Sequence, residues 1–132
     1  MAVSFESIQI GRNYTRPHLA TIWGYSGYQA LSRGLVTPAN DNKILFFITR
    51  ERRAGDTAYQ NQFVDDVLRI DGPEDHFAED RVLNSAKSGD EVHLFFRELH
   101  RDAFRYCGQM RLVDAQVYAT KPSRFAFRRN SE

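Results

Sequence analysis

The chain is short of the residues on which disulfides, metal sites and phosphate-binding loops depend. Its 132 residues include a single cysteine, Cys107, which excludes an internal disulfide and a cysteine-rich zinc site. The four histidines are scattered without metal-ligand spacing, and the glycine-containing segment GYSG has neither the lysine nor the preceding strand of a P-loop. We therefore expect no cofactor and no metal ion, and the chain is predicted not to be an enzyme.

Long apolar runs are also missing. No segment approaches the roughly 20 apolar residues of a membrane-spanning helix, and the start MAVSFESIQI has neither the basic residues nor the apolar stretch of a secretory signal. These absences predict a cytoplasmic protein that has no membrane partner. The length fits one domain over residues 1–132, with 1–10 as an extended lead-in and 129–132 as a frayed tail.

Net charge is small, but the charges are unevenly distributed. Formal net charge is +1, yet residues 65–80 carry seven acids against Arg69 alone, and residues 97–132 carry eight Lys/Arg against four acids. Of the 18 basic residues 15 are arginines, which suit bidentate contacts with phosphates and bases. The pattern favours a basic face that meets phosphate, although a genome that prefers arginine codons explains the arginine bias equally well.

The segment from Gly11 to Gly34 is unusually rich in aromatic residues and arginines. Thr15 and Pro17 predict the start of a helix that ends at Gly24, and a second short helix is predicted between Ser26 and Gly34. Aromatic residues beside short helices are usually part of the core. The alternative is a hydrogen-bonding cage for a planar ligand, formed by Tyr14, Trp23, Tyr25 and Tyr28.

The remaining pattern predicts an α+β fold: a small curled mixed β-sheet, or half-open barrel, with about three short helices. The run 43–49 is predicted to be a central strand that is buried on both faces. Glu91–Glu98 alternates, with His93 predicted on the outward face, and residues 78–88 are predicted to form a helix. Further strands are predicted at 66–71 and around Phe125 and Phe127, and a long one from Phe104 to Tyr118 that switches face at a bulge after Leu112.

The adjacent carboxylates Asp65 and Asp66 stand at the start of a predicted strand. Neighbours on a strand point to opposite faces, so the two cannot act as one acid/base pair. One of them can face an aromatic pocket and accept a hydrogen bond from a donor edge, such as the exocyclic amine of cytosine. The simpler interpretation of either residue is a surface acid.

The order of several motifs resembles the DUF3427 domain family. The matching segments are YTR–LA–WGY–Y–RG, ILFFIT, AYQNQF, DDVLRIDG, EVHLFFRE and FRYCGQM, which together span Gly11 to Leu112. The Tyr-Thr-Arg opening and the Tyr59-x-x-x-Phe63 element are the most recognisable parts. Domains of this family accompany helicases and HNH nucleases in modification-dependent restriction proteins.

The resemblance implies a PUA/SRA-like curled barrel that flips a modified cytosine, 5-methyl or 5-hydroxymethyl, out of DNA into an aromatic pocket. These 132 residues contain no helicase or nuclease segment. Cleavage in a restriction system would then come from a separate nuclease or helicase chain, or these residues are a domain of a longer protein. RNA binding by the same barrel, and an interaction domain for a small ligand or a protein, remain alternatives. The predicted base pocket comprises Tyr14, Trp23, Tyr25, Tyr28, Tyr59, Asp65 and Asp66, and the predicted phosphate contacts are Arg16, Arg33, Arg50, Arg52, Arg53, Arg97 and Arg101.

Overall fold

The protein folds as a mixed β-sheet flanked by short helices. The computed structural model describes residues 3–50, 62–64, 66–73 and 75–129, and the elements below are those within these ranges. The strands are β1 (Asn13–Tyr14), β2 (Leu35–Val36), β3 (Lys43–Thr49), β4 (Gln62–Val64), β5 (Val67–Asp71), β6 (Glu91–Arg97), β7 (Phe104–Gln116) and β8 (Arg124–Arg129). The helices are α1 (Arg16–Trp23), α2 (Glu79–Leu83) and α3 (Ser85–Ser88), with a 3₁₀ turn at Gln29–Leu31. Over the same ranges, no helix has the length and apolar character needed to cross a bilayer.

One parallel pair of strands lies within an otherwise antiparallel sheet. The strand order is β2-β3-β6-β7-β8-β5-β4, and β1 pairs separately with β7. Only β3 and β6 run parallel among the described strands, with Lys43 opposite Glu91 and Thr49 opposite Arg97. Parallel neighbours need a long crossover, and here it contains β4, β5, α2 and α3.

The sheet curls strongly on itself. Phe46 on β3 and Phe127 on β8 are three strand spacings apart, which is about 14 Å in a flat sheet, yet their ring centroids are 5.2 Å apart. Phe63 on β4 and Phe96 on β6 are four spacings apart, and their centroids are 5.4 Å apart. The sheet is therefore curled but open in the described residues, which confirms the coarse α+β prediction of a curled mixed sheet.

The parallel pair is buried on both faces. On one face, α1 and the lead-in residues Val3, Phe5 and Ile8 pack on Phe47 and Phe95. On the other face, side chains of β5, β8 and α2 pack against β3 and β6. The prediction for Lys43–Thr49 is confirmed. For β6 the predicted one-sided alternation is wrong, because the lead-in covers the face that was expected to be solvent-exposed.

The ends of α1 follow the predicted capping chemistry, whereas the other helices are shorter than predicted. The Thr15 side chain accepts a hydrogen bond from the His18 N–H at 3.2 Å, and Gly24 ends the helix with φ of 80°. The second predicted helix is only the 3₁₀ turn, and Gly34 does not adopt positive φ. The helix predicted over 78–88 divides at Asn84, whose side-chain amide and backbone N–H both donate to the Asp80 carbonyl.

Two irregularities bend β7. The pairing with β8 shifts between Leu112 and Asp114, which confirms the predicted change of face. The pairing with β6 shifts between Leu94 and Phe95, opposite Gly108. Gly108 has φ of 101°, a conformation that side-chain-bearing residues rarely adopt. Because bulges increase local twist, these two positions account for part of the curl.

His93, predicted on the outward face of β6, is buried beneath the lead-in. It is 4% exposed, and its ring stacks on Phe5 with a centroid distance of 3.7 Å. Nδ1 is 2.6 Å from the Tyr106 hydroxyl, and Nε2 is 2.9 Å from Glu91 Oε1. Burial lowers the pKa of His93 from its usual value and Lys43 acts in the same direction, while Glu91 opposes them. The folded state therefore favours the neutral imidazole.

This network predicts a loss of stability at mildly acidic pH. The pKa of His93 is lower in the folded chain than in the unfolded chain. The contribution of neutral His93 to the free energy of unfolding is therefore complete above about pH 6.5. It is lost as the pH falls from there through the folded-state pKa. We expect the free energy of unfolding, from urea titrations, to fall between pH 7.5 and 5.5 and to fall less in His93→Gln. The exposed His18→Gln serves as control, and an equal pH slope in the wild type and His93→Gln would contradict the prediction.

Candidate functional site

Two of the predicted cage residues belong to the core. Tyr14 and Trp23 are each 5% exposed. The Tyr14 hydroxyl accepts a hydrogen bond from the Gln9 N–H at 2.9 Å, and Trp23 Nε1 donates to the Ser4 carbonyl at 2.7 Å. Both rings also make edge contacts with Phe95. A buried ring whose polar atom is already paired cannot stack on a ligand without leaving the core, so these two assignments are corrected.

The other cage candidates differ in exposure. Tyr25 is half-buried against the same core cluster, and burial, followed by the charge of Asp41, raises the pKa of its hydroxyl. Tyr28 is 48% exposed at the start of the 3₁₀ turn. Tyr59 and Asp65 lie outside the described residues. Of the predicted aromatic cage, Tyr28 is thus the described residue that offers an open ring face.

Tyr28 lies in a surface cavity together with several of the predicted arginines. The cavity has a volume of about 420 Å³ and is formed where the start of α1, the end of β6 and the start of β7 meet. We call it the Phe104 cavity; its lining residues are Thr15, Arg16, Pro17, Tyr28, Arg97, His100, Arg101, Asp102 and Phe104. It brings together four of the fourteen predicted site residues, namely Tyr28, Arg16, Arg97 and Arg101.

The Arg16 guanidinium is held in place by neutral groups. Nε donates to the Leu31 carbonyl, and an Nη group donates to the Arg33 carbonyl at 3.3 Å. Its Cζ lies 4.8 Å and 4.9 Å from the ring centroids of Phe47 and Phe104. Burial lowers the pKa of Arg16, and the charge of Arg97 lowers it further. The Arg97 guanidinium contacts the same Phe104 ring, so two positive charges lie close together at this cavity.

Arg97 reaches the same aromatic ring from the end of β6. Its Cζ lies 4.2 Å from the Phe104 centroid, and its Nε donates to Thr49 Oγ1 at 2.8 Å. Thr49 and Arg97 are the paired last residues of the two parallel strands. The end of the parallel pair therefore fixes this guanidinium, and Arg101 is exposed in the turn that follows.

The other predicted phosphate contacts do not line this cavity. Arg33 pairs with Asp75 at 3.1 Å and stacks over Phe77, with Cζ 4.3 Å from the ring centroid. Arg50 pairs with Glu98 at 3.6 Å. Arg52 and Arg53 lie outside the described residues. Of the seven predicted arginines, the structure gathers Arg16, Arg97 and Arg101.

Asp66 lies in a different cavity, so the predicted single base pocket is not formed by the described residues. This second cavity has a volume of about 570 Å³ and lies between the lead-in, the β4–β5 turn and strands β7 and β8. We call it the Phe63 cavity; its lining residues are Ile10, Gly11, Phe63, Asp66, Arg105, Tyr106, Cys107, Met110, Arg128 and Arg129. Its three arginines were not among the predicted site residues, although the basic excess over residues 97–132 was the signal for them.

The described residues contain neither a cluster of metal-ligating side chains nor an activated cysteine. Over residues 3–50, 62–64, 66–73 and 75–129, no three His, Cys, Asp or Glu side chains are grouped so as to hold a metal ion. Cys107 is half-buried in β7, and burial raises the pKa of its thiol. A raised pKa disfavours the thiolate, which is the nucleophilic form of cysteine.

Arg16, which is held in place, and Arg101, which is exposed, are expected to differ in their effect on the stability of the fold. Arg16→Lys removes the planar group that stacks on two rings and donates to two carbonyls, so we expect a loss of about 1–2 kcal/mol in the free energy of unfolding. Arg101→Lys at an exposed position is expected to change it by less than about 0.5 kcal/mol. Urea titrations at pH 7.5 measure both, and equal losses in the two variants would show that Arg16 is not held as described.

Comparisons with known proteins do not assign the chain to a family. No protein-family model matches it, and no curated protein matches it either. The resemblance to the DUF3427 family thus remains a prediction. A functional assignment therefore depends mainly on the curled sheet and on the chemistry of its two cavities.

Proposed function

We propose that the chain is a non-catalytic nucleic-acid-binding module whose preferred ligand is DNA that contains 5-methylcytosine or 5-hydroxymethylcytosine. The observation that carries the proposal is the Phe104 cavity, which places the exposed ring of Tyr28 beside Arg16, Arg97 and Arg101. Aromatic rings stack on bases and arginines contact phosphates, and proteins that hold single-stranded segments combine the two.

The electrostatics of the cavity support an anionic ligand. The hydrogen bonds of Arg16 go to carbonyl oxygens, which carry no net charge, and its pKa is lowered by burial and then by the neighbouring charge of Arg97. An anion bound at Arg16 supplies the opposite charge that these carbonyl groups lack. Because Arg16 is already fixed on Phe47 and Phe104, less side-chain entropy is lost when the anion binds.

The volume of the cavity fits a base that is flipped out of a duplex or belongs to a single strand. A volume of about 420 Å³ lies within the range of small-ligand sites. An exposed ring such as Tyr28 can contact the face of a base only if that base is flipped out or single-stranded. The preference for modified cytosine follows from the sequence resemblance, which also implies that a nuclease or helicase acts on the bound DNA.

Binding measurements on matched duplexes test the proposal. We expect fluorescence anisotropy to give tighter binding for a duplex with one 5-methyl- or 5-hydroxymethylcytosine than for the unmodified duplex. Tyr28→Leu removes a stacking face and is expected to weaken binding about tenfold. Arg101→Gln is expected to weaken binding to all duplexes alike. It is also expected to reduce the slope of the logarithm of the binding constant against the logarithm of salt concentration by about 1.

Matched controls separate the cavity from general charge and hydrophobicity. Lys87→Gln removes an exposed positive charge from α3, and Tyr118→Leu removes a tyrosine that does not line the Phe104 cavity. Both are expected to bind like the wild type. Equal affinity for all three duplexes refutes the modified-base preference, and tighter binding to RNA of the same sequence refutes DNA as the preferred ligand. Absence of salt-dependent binding to any of these nucleic acids refutes the proposal as a whole.

A further inference from the structure

The Phe63 cavity has an apolar floor that remains open to solvent. Ile10 is 57% exposed and Phe63 is 38% exposed, whereas most large apolar side chains of the described residues are buried. The Phe63 ring is braced on one side by an edge contact with Phe96, with a centroid distance of 5.4 Å. Ile10 lies over Gly108, where a Cβ atom would be 3.2 Å from Ile10 Cδ1. The glycine at the bulge therefore allows the lead-in to form one wall of the cavity.

The rim of the Phe63 cavity is strongly basic. Arg105, Arg128 and Arg129 are exposed. In the part of the chain that the structure describes, none of the three forms an ion pair with a carboxylate. Arg128 also lies directly opposite Arg111 in the β7–β8 pairing, and like charges in opposed positions are destabilising. Positive charge therefore accumulates at this rim, where no ion pair among the described residues neutralises it.

One acid lies in this basic surrounding. Asp66 forms the β4–β5 turn with φ of 67° and is exposed into the cavity. In the same described ranges, it forms no ion pair with the arginines of the rim. A carboxylate beside an aromatic ring is a hydrogen-bond acceptor for an N–H or O–H group of a ligand.

We propose that the Phe63 cavity binds a nucleotide unit, that is, a planar base with a hydrogen-bond-donating edge that carries a phosphate. Phe63 stacks on the base, the arginines of the rim contact the phosphate, and Asp66 accepts a hydrogen bond from an exocyclic amine. The volume of about 570 Å³ is in the range of small-ligand sites. This inference goes beyond the proposed function, because it concerns another cavity and applies to a free nucleotide as well as to a nucleotide within a chain.

The combination of groups disfavours other anions. A fatty acid or an aromatic carboxylate would contact the apolar floor and the arginines. It would, however, place a second carboxylate near Asp66 and would provide no hydrogen-bond donor for Asp66. Inorganic phosphate would use the arginines alone and leave Ile10 and Phe63 in contact with water. A nucleotide that carries an amine matches the apolar floor, the arginines of the rim and the Asp66 carboxylate together.

Calorimetric titrations with defined nucleotides test the inference. We expect CMP to bind more tightly than UMP, since UMP presents a carbonyl oxygen where CMP presents an amine, and more tightly than inorganic phosphate. Arg128→Gln and Phe63→Leu are each expected to weaken CMP binding about tenfold. Asp66→Asn is expected to abolish the preference for CMP over UMP, and asparagine tolerates the positive φ at this turn.

The controls distinguish this inference from the proposed function. Tyr118→Leu, which removes a tyrosine that lines neither cavity, and Lys87→Gln on α3 are expected to leave CMP binding unchanged, and circular dichroism checks that every variant is folded. No saturable binding of CMP, or binding that Phe63→Leu and Arg128→Gln leave unchanged, would overturn the inference whatever the result with duplex DNA. A single-stranded dC oligonucleotide that binds through the same residues but more tightly than CMP identifies the ligand as a nucleotide within a chain, and equal affinity identifies a free nucleotide.

Discussion

The parallel pairing of β3 with β6 is the constraint on which the rest of the structure depends. Parallel pairs are usually covered on both faces, and both strands here are buried on both faces, with five consecutive buried residues each. Two separate layers must therefore cover them. The lead-in and α1 cover one face, and the curled strands β8 and β5 with α2 cover the other.

Covering one of these faces uses aromatic residues that the sequence pattern assigned to a ligand cage. Phe95 is fully buried, and its ring contacts those of Phe5, Tyr14, Trp23 and Phe47. Rings of this size each bury a large apolar area, and edge-to-face contacts add to it. The Tyr14 hydroxyl and the Trp23 Nε1 are hydrogen-bonded to backbone groups of the lead-in. These two residues therefore hold the lead-in over His93.

The sequence allowed the local features of the fold to be predicted, because local chemistry determines them. The Thr15 cap, the glycine that ends α1 and the run 43–49 each depend on residues close in the chain. The burial of Tyr14 and Trp23 depends on Phe95, which is distant in sequence and lies on the face of β6 that the lead-in and α1 cover. For the same reason Tyr28 and Asp66, both predicted to face one pocket, lie in two cavities, since the strand order separates the elements that carry them.

The two cavities differ in how their arginines are held, and this difference follows from their positions on the sheet. The Phe104 cavity lies at the end of the buried parallel pair, where Thr49, Phe47 and Phe104 hold Arg97 and Arg16 in place. Guanidiniums held in this way favour one placement of an anion, which suits recognition of a particular geometry. The arginines of the Phe63 cavity stand on the exposed ends of β7 and β8, where solvent-exposed side chains keep more rotamer freedom. Such side chains can adjust to ligands of different shape, so specificity in that cavity must come from its less adaptable groups, the Phe63 ring and the Asp66 carboxylate.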